Sequence, residues 1–202
     1  VASEIRIDNN QCFGDSLGEI RILEVEGGAE PYLYSINGGA DFSSNSNFQN
    51  LPAGTYQTVV QDANGCTADG NLNVINQPGE IKIINYTYAD VTDCFGNNNG
   101  QIFIEATGGS GSKSYSLDGG SPVSSGSFNA VSEGDHLIRI IDENGCVKDT
   151  IVTLSQPDEI IFTSINISDI TTCSGDATGA VNFSVAGGAG SRRNGQAVSR
   201  RP

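Results

Sequence analysis

Apolar and polar residues alternate in short runs along the chain. "EIRILEVE" (19–26) places Ile20, Ile22 and, after a slip at Leu23, Val25 on one face. "QIFIEAT" (101–107) does the same with Ile102, Ile104 and Ala106. A period of two predicts β-strands, because successive side chains of a strand point to opposite faces. "YLYSI" (32–36), "TYQTVVQD" (55–62), "NLNVI" (71–75) and "TIVTL" (150–154) add further strands. Gly-Gly, Asn-Gly and Pro turns separate the runs at intervals of about ten residues. No run has a helical period. The pattern predicts an all-β chain of immunoglobulin-like antiparallel sandwiches, each with roughly seven short strands.

The runs recur in a fixed order, and the recurrence sets the domain organisation. "SEIRI" (3–7), "GEIKI" (79–83) and "DEIIF" (158–162) each open a unit. "VEGG" (25–28), "ATGG" (106–109) and "VAGG" (185–188) follow, then "YSINGG" (34–39) and "YSLDGG" (115–120). The first two units continue with "NFQNLPAGTYQTVVQDANGC" (47–66) and "SFNAVSEGDHLIRIIDENGC" (127–146). Glu4, Glu80 and Glu159 mark a period of 76 and then 79 residues. The expected domains are residues 4–79 and 80–158, with a truncated third repeat at 159–190. Residues 191–202, "SRRNGQAVSRRP", lack a strand pattern and read as an unrelated tail. The linkers "QPGE" (77–80) and "QPDE" (156–159) are short and held extended by proline, which predicts a semi-rigid array. With no initiating Met, the chain reads as a segment of a longer protein.

Charge narrows the function classes. The formal net charge is −14, and four of the ten basic residues (Arg192, Arg193, Arg200, Arg201) lie in the last eleven positions. A surface this acidic argues against nucleic-acid binding, which needs clustered cations facing phosphates. No apolar run is long enough to span a membrane as a helix.

A second motif, C-x-G-[DN]-x-x-G-x-[IV], occurs as "CFGDSLGEI" (12–20), "CFGNNNGQI" (94–102) and "CSGDATGAV" (173–181). Each complete unit holds a second cysteine in "D-x-N-G-C", at Cys66 and Cys146. In an up-and-down sandwich both sites fall at the same end. The expected disulfides are therefore Cys12–Cys66 and Cys94–Cys146, each closing about 53 residues and contributing about 4 kcal/mol. Cys173, whose unit lacks its second half, is expected to be a free thiol. Zinc is disfavoured, since no C-x-x-C pair or neighbouring His is present. Paired cysteines in small repeated domains point to an oxidising, exported location.

Two readings stand for the Asp and Asn positions around the motif. Asp8, Asp15, Asp62, Asp90, Asn97 and Asp142 supply oxygen donors suited to Ca²⁺. The same side chains also suit tight turns, bonding backbone N–H groups beside glycines at positive φ. A phosphate cradle is excluded, because no Lys-[Ser/Thr] follows and no helix begins there. The single histidine, His136, occupies the slot that Tyr56 fills in the first unit, which predicts a packing or surface position rather than catalysis. No Ser/His/Asp set or paired acids stand out, so no enzyme is expected. Tyr34, Tyr115, Phe48 and Phe128 recur at strand positions, which predicts core filling in preference to a sugar-stacking platform.

The combined set of "C-F-G", "G-x-I", "G-G", "Y-S-I-N-G-G" and "F-x-N-L-x-A-G-T-Y-x-x-x-V-x-D-x-N-G-C" resembles the SprB repeat across residues 4–190. The second copy departs from it at "VSEGDHLIRI" (131–140). The resemblance implies a secreted adhesin of gliding Bacteroidetes, exported by type IX secretion and associated with the outer membrane at the cell surface. Gliding machinery would move it through its parent protein, against an extracellular substratum or polysaccharide. It also implies O-glycosylation at D-[S/T]-apolar triplets, here Ser16 and Thr150. Within this reading the repeats are a disulfide-stapled spacer that carries load, or alternatively a polysaccharide-binding module.

Overall fold

The computed structural model describes residues 3–169, 171, 179–189 and 195–197. The first sequence unit forms six strands: β1 (Ser3–Asp8), β2 (Gly18–Val25), β3 (Leu33–Ser35), β4 (Asn47–Leu51), β5 (Gly54–Gln61) and β6 (Thr67–Ile75). They make two three-stranded sheets, in the orders β1-β2-β4 and β3-β5-β6. The second unit repeats this with β7 (Gly79–Ala89), β8 (Gly100–Gly109), β9 (Lys113–Leu117), β10 (Ser127–Val131), β11 (Gly134–Asp142) and β12 (Val147–Leu154). Its sheets run β7-β8-β10 and β9-β11-β12. Six strands per complete unit replace the expected seven, because the stretch between β3 and β4 forms turns and isolated bridges rather than another strand.

The slip at Leu23 is a β-bulge. Glu4 pairs with Glu24 and Ile5 with Ile22, so Leu23 has no partner opposite. One extra residue on one strand restores Val25 to the register that a strict alternation would break. Leu23 is exposed, whereas Ile20 and Ile22 are buried.

The chain divides into two compact units. The first comprises Val1–Ile84, Ala106–Tyr115 and Arg139–Lys148; the second comprises Asn85–Glu105, Ser116–Ile138 and Asp149–Pro202. The first unit buries Ile20, Ile22, Val59, Val60 and Ile75. The second buries Val91, Ile102, Ile104, Ile138 and Leu154. All of these are residues of the alternating runs, except Val91, which lies outside every segment singled out in the sequence, and Ile138, which belongs to "SFNAVSEGDHLIRIIDENGC" (127–146). Tyr115 is buried as expected, whereas Tyr34, Phe48 and Phe128 are only half-buried.

The third sequence unit contributes β13 (Ile161–Ser168) and β14 (Ala180–Ala186). A short strand β15 (Gly195–Ala197) pairs antiparallel with β14, Phe183 opposite Gly195 and Val181 opposite Ala197. Part of the segment read as an unpatterned tail therefore lies in a sheet. Three residues are too few for an alternation to be visible in sequence.

Candidate functional site

The two motif glycines have different duties. Gly14 and Gly96 both have φ of +81°, a left-handed conformation that only glycine adopts without penalty. Gly18 and Gly100 instead leave no room for a side chain. A Cβ on Gly18 would stand 2.7 Å from Ile75 and 2.8 Å from the Leu51 carbonyl. A Cβ on Gly100 would stand 2.7 Å from Leu154 and 2.8 Å from the Val131 carbonyl. The motif thus turns the chain and then seats β2 or β8 against the ends of two neighbouring strands.

Further bonds pin the Cys12 loop to that end. Asn10 N–H donates to the Asn76 carbonyl at 3.0 Å, and Asn10 Nδ2 to the Leu51 carbonyl at 3.2 Å. Gly14 N–H donates to Gln77 Oε1 at 2.8 Å, and Gly96 N–H to Gln156 Oε1 at 2.7 Å. Gln77 and Gln156 did not register as site residues in sequence. Their signal was the Gln-Pro dipeptide recurring in both linkers.

The "D-x-N-G-C" turn lies at the opposite end of the strands. Asp62 Oδ1 accepts from the N–H groups of Asn64 and Cys66, both at 2.9 Å, while its Oδ2 accepts from Ala29 N–H at 3.2 Å. Ala29 lies beyond the far end of β2. Asp142 repeats the arrangement, with Asn144 and Cys146 N–H at 2.9 and 2.8 Å and Ser110 N–H at 2.7 Å. Each carboxylate ties the turn to the Gly-Gly loop. The Cys66 N–H bond is the main cause holding the Asp62 carboxyl below its ordinary range. At Asp142 burial pushes upward, but the bonds from Ser110, Cys146 and Asn144 together hold it lowered.

This geometry overturns the expected disulfides. Cys12 and Cys66 sit at opposite ends of β2, whose eight residues span roughly 25 Å at the rise of a strand. A disulfide needs Cα atoms within about 7 Å. The bond that forms is Cys12–Cys146, with Cα atoms 5.6 Å apart. Cys66 and Cys94 carry exposed free thiols, so neither Cys12–Cys66 nor Cys94–Cys146 exists. The clamp joins the motif loop of one sequence unit to the "D-x-N-G-C" turn of the next, within the first compact unit. Asn144 Nδ2 reinforces it, donating to the Gln11 carbonyl at 3.0 Å. Cys173 lies outside the described residues.

The six Asp and Asn positions raised for Ca²⁺ are placed as follows. Asp15 Oδ2 accepts from Cys12 N–H at 3.2 Å, and Asn97 N–H donates to the Cys94 carbonyl at 3.1 Å. Asp90 Oδ1 accepts from Ser155 N–H at 2.8 Å. Asp8 faces Arg6 at 3.4 Å. Asp62 and Asp142 hold their turns. Among the described residues no three His, Cys, Asp or Glu side chains gather where they could hold a metal ion. Four of these carboxylates (Asp15, Asp62, Asp90 and Asp142) accept from backbone N–H groups and Asp8 faces Arg6, so EDTA is expected to leave the melting temperature unchanged. A clear EDTA-induced drop, reversed by Ca²⁺, would reinstate the metal.

His136 takes the packing role of its counterpart. Tyr56 Oη donates to the Pro52 carbonyl at 2.8 Å, and His136 Nε2 lies 3.1 Å from the Ser132 carbonyl in the equivalent slot. Its Nδ1 lies 2.8 Å from Asp118 Oδ2. Ser16 is exposed in the β1–β2 loop, and Thr150 is half-buried within β12. A cleft of about 440 Å³ flanks the clamp, lined by Phe13, Asp15, Glu80, Asp142 and Lys148 among others. No helix among the described residues is long and apolar enough to cross a membrane.

The SprB repeat matches residues 5–41 and 85–122. No curated protein sequence matches the chain. Among solved structures, the three N-terminal domains of the bacteriophage RB49 Highly Immunogenic Outer Capsid protein (Hoc) are similar over 93% of this chain and 69% of that one. The identity is 12% and the TM-score 0.41.

Proposed function

From a chain that carries two SprB repeats, at residues 5–41 and 85–122, we propose a segment of a secreted cell-surface adhesin for gliding motility. Its repeats serve as a disulfide-stapled spacer that carries load. We assign the repeats to residues 4–79 and 80–158, with a third beginning at 159. The parent protein would be exported by type IX secretion, held at the outer membrane, and coupled to the gliding machinery and the substratum.

The observation that carries this reading is the Cys12–Cys146 bond. It removes 134 residues of sequence separation from the path of any force applied at the chain ends. In single-molecule pulling, reductant is expected to add roughly 45 nm of releasable length, the extended span of those 134 residues at about 3.4 Å each. Equal extension with and without reductant would defeat the spacer reading.

The polysaccharide-binding alternative is favoured by the cleft beside the clamp. It offers an exposed aromatic ring, Phe13, with Asp15, Glu80 and Lys148 around it. Rings that stack on sugars, flanked by polar groups, are the usual recipe for such sites. Glycan-array signal from this chain, lost on Phe13→Ala, would establish that reading; a silent array favours the spacer.

A further inference from the structure

Two halves of the cysteine clamp are left over, and they are complementary. Cys94 repeats the Cys12 half. The turn closes through Asn97 N–H on the Cys94 carbonyl at 3.1 Å, as it does through Asp15 N–H on the Cys12 carbonyl at 3.3 Å. The glycine two residues after each cysteine has the same φ and bonds the equivalent linker glutamine. Cys66 repeats the Cys146 half. Asp62 N–H donates to the Cys66 carbonyl at 3.0 Å, as Asp142 N–H does to the Cys146 carbonyl at 3.0 Å. Asp62 and Asp142 accept the returning cysteine N–H at 2.9 and 2.8 Å. Gly65 and Gly145 have φ of +82° and +85°. Both unpaired thiols are exposed.

A disulfide forms when two such halves meet, as Cys12 and Cys146 demonstrate in this chain. Neither unpaired half has a route to a partner in its own sequence unit, because the motif loop and the turn leave a unit at opposite ends. We propose that Cys94 and Cys66 are junction thiols, each bonding the complementary half of a further SprB repeat. The Cys94 loop takes a "D-x-N-G-C" turn and the Cys66 turn takes a "C-x-G" loop. Successive repeats then become covalently linked at every junction in one direction. In the formed clamp the Asn144 side-chain amide donates to the backbone carbonyl of residue 11, an acceptor present whatever side chain that residue carries. Asn64 stands where Asn144 does.

The chemistry is a two-electron oxidation. The two thiols give up two protons and two electrons as the S–S bond forms. A small-molecule disulfide such as oxidised glutathione accepts them and is cleaved to two thiols. The inference rests on the repeat equivalence and not on a role in gliding, so force and glycan experiments leave it untouched.

The test uses the full chain carrying Cys173→Ser, with a second copy supplying the partner repeat. One variant adds Cys66→Ser and keeps only the Cys94 half; the other adds Cys94→Ser and keeps only the Cys66 half. In a glutathione redox buffer the mixture is expected to yield a covalent dimer of twice the chain mass, dissolved by reductant. Tryptic mapping should show Cys66 linked to Cys94. Each variant alone should stay monomeric, and the chain with both thiols should form a ladder. The Cys12–Cys146 peptide, present in all samples, reports that the fold is intact. Homodimers from either variant alone, monomers capped only by glutathione, or an intrachain Cys66–Cys94 link would each overturn the proposal.

Discussion

Replacing Cys12 and Cys146 together with serine is expected to lower the unfolding free energy by about 5 kcal/mol. The bond spans 134 residues, and the chain-entropy model assigns nearly 5 kcal/mol to a loop somewhat shorter than that. The stabilisation acts by restricting the unfolded chain, so the native structure need not change for it to be lost. Urea midpoints of the oxidised protein, the reduced protein and the double variant measure it, with the last two coinciding. Serine at Cys66 or Cys94 should shift stability by no more than about 0.5 kcal/mol, the usual range for exposed positions. A double variant as stable as the oxidised parent would show that the clamp constrains nothing.

The second large effect belongs to Asp142→Ala. The side chain is 5% exposed and accepts N–H bonds from Ser110, Asn144 and Cys146. Its removal leaves these part-buried bonds unmade. Losing bonds to a charged acceptor costs about 1.5–3 kcal/mol each at most, with shared penalties, so a loss of about 3 kcal/mol is expected. Asp62→Ala should cost less, because that carboxylate is only half-buried and water can replace it.

The same pair sets the acid response. Both carboxyls are held below their ordinary value in the folded chain. The folded state therefore binds the proton less readily than the unfolded one. Their contribution is fully present above the unfolded value of about 4, and is lost as pH falls through the depressed folded values. The urea midpoint should decline from about pH 4 downward, and Asp142→Asn should flatten that decline. An unchanged acid slope in the Asn variant would assign the titration to other groups.

Much of the architecture is readable from residue order alone. The period-two runs mark β2, β5, β6, β8 and β12, because burying one sheet face demands alternation whatever the topology. The slip at Leu23 is legible as a broken alternation, and the structure gives it the form of a bulge. The repeat copies mark equivalent loops, and their glycines mark where a side chain would clash or a turn needs positive φ. The SprB resemblance rests on those same recurrences. Strand number was less legible: between β3 and β4 the residues bond locally in turns, which an apolar pattern does not distinguish from a short strand.

The pairing of the cysteines could not be read this way. Sequence identifies two kinds of half-clamp and shows that each complete unit holds one of each. It does not say from which end of the strands each loop emerges. That depends on how β2 runs against β4 on one side and how the Gly-Gly loop meets the Asp62 and Asp142 turns on the other, all of them pairings between residues distant along the chain. Eight residues of strand then separate Cys12 from Cys66 by several times the reach of a disulfide. Residue order settled what the parts are, since local alternation and turn chemistry are properties of neighbours. The tertiary structure alone decided which parts meet, since a covalent bond of fixed length forms only where folding brings two sulfurs together.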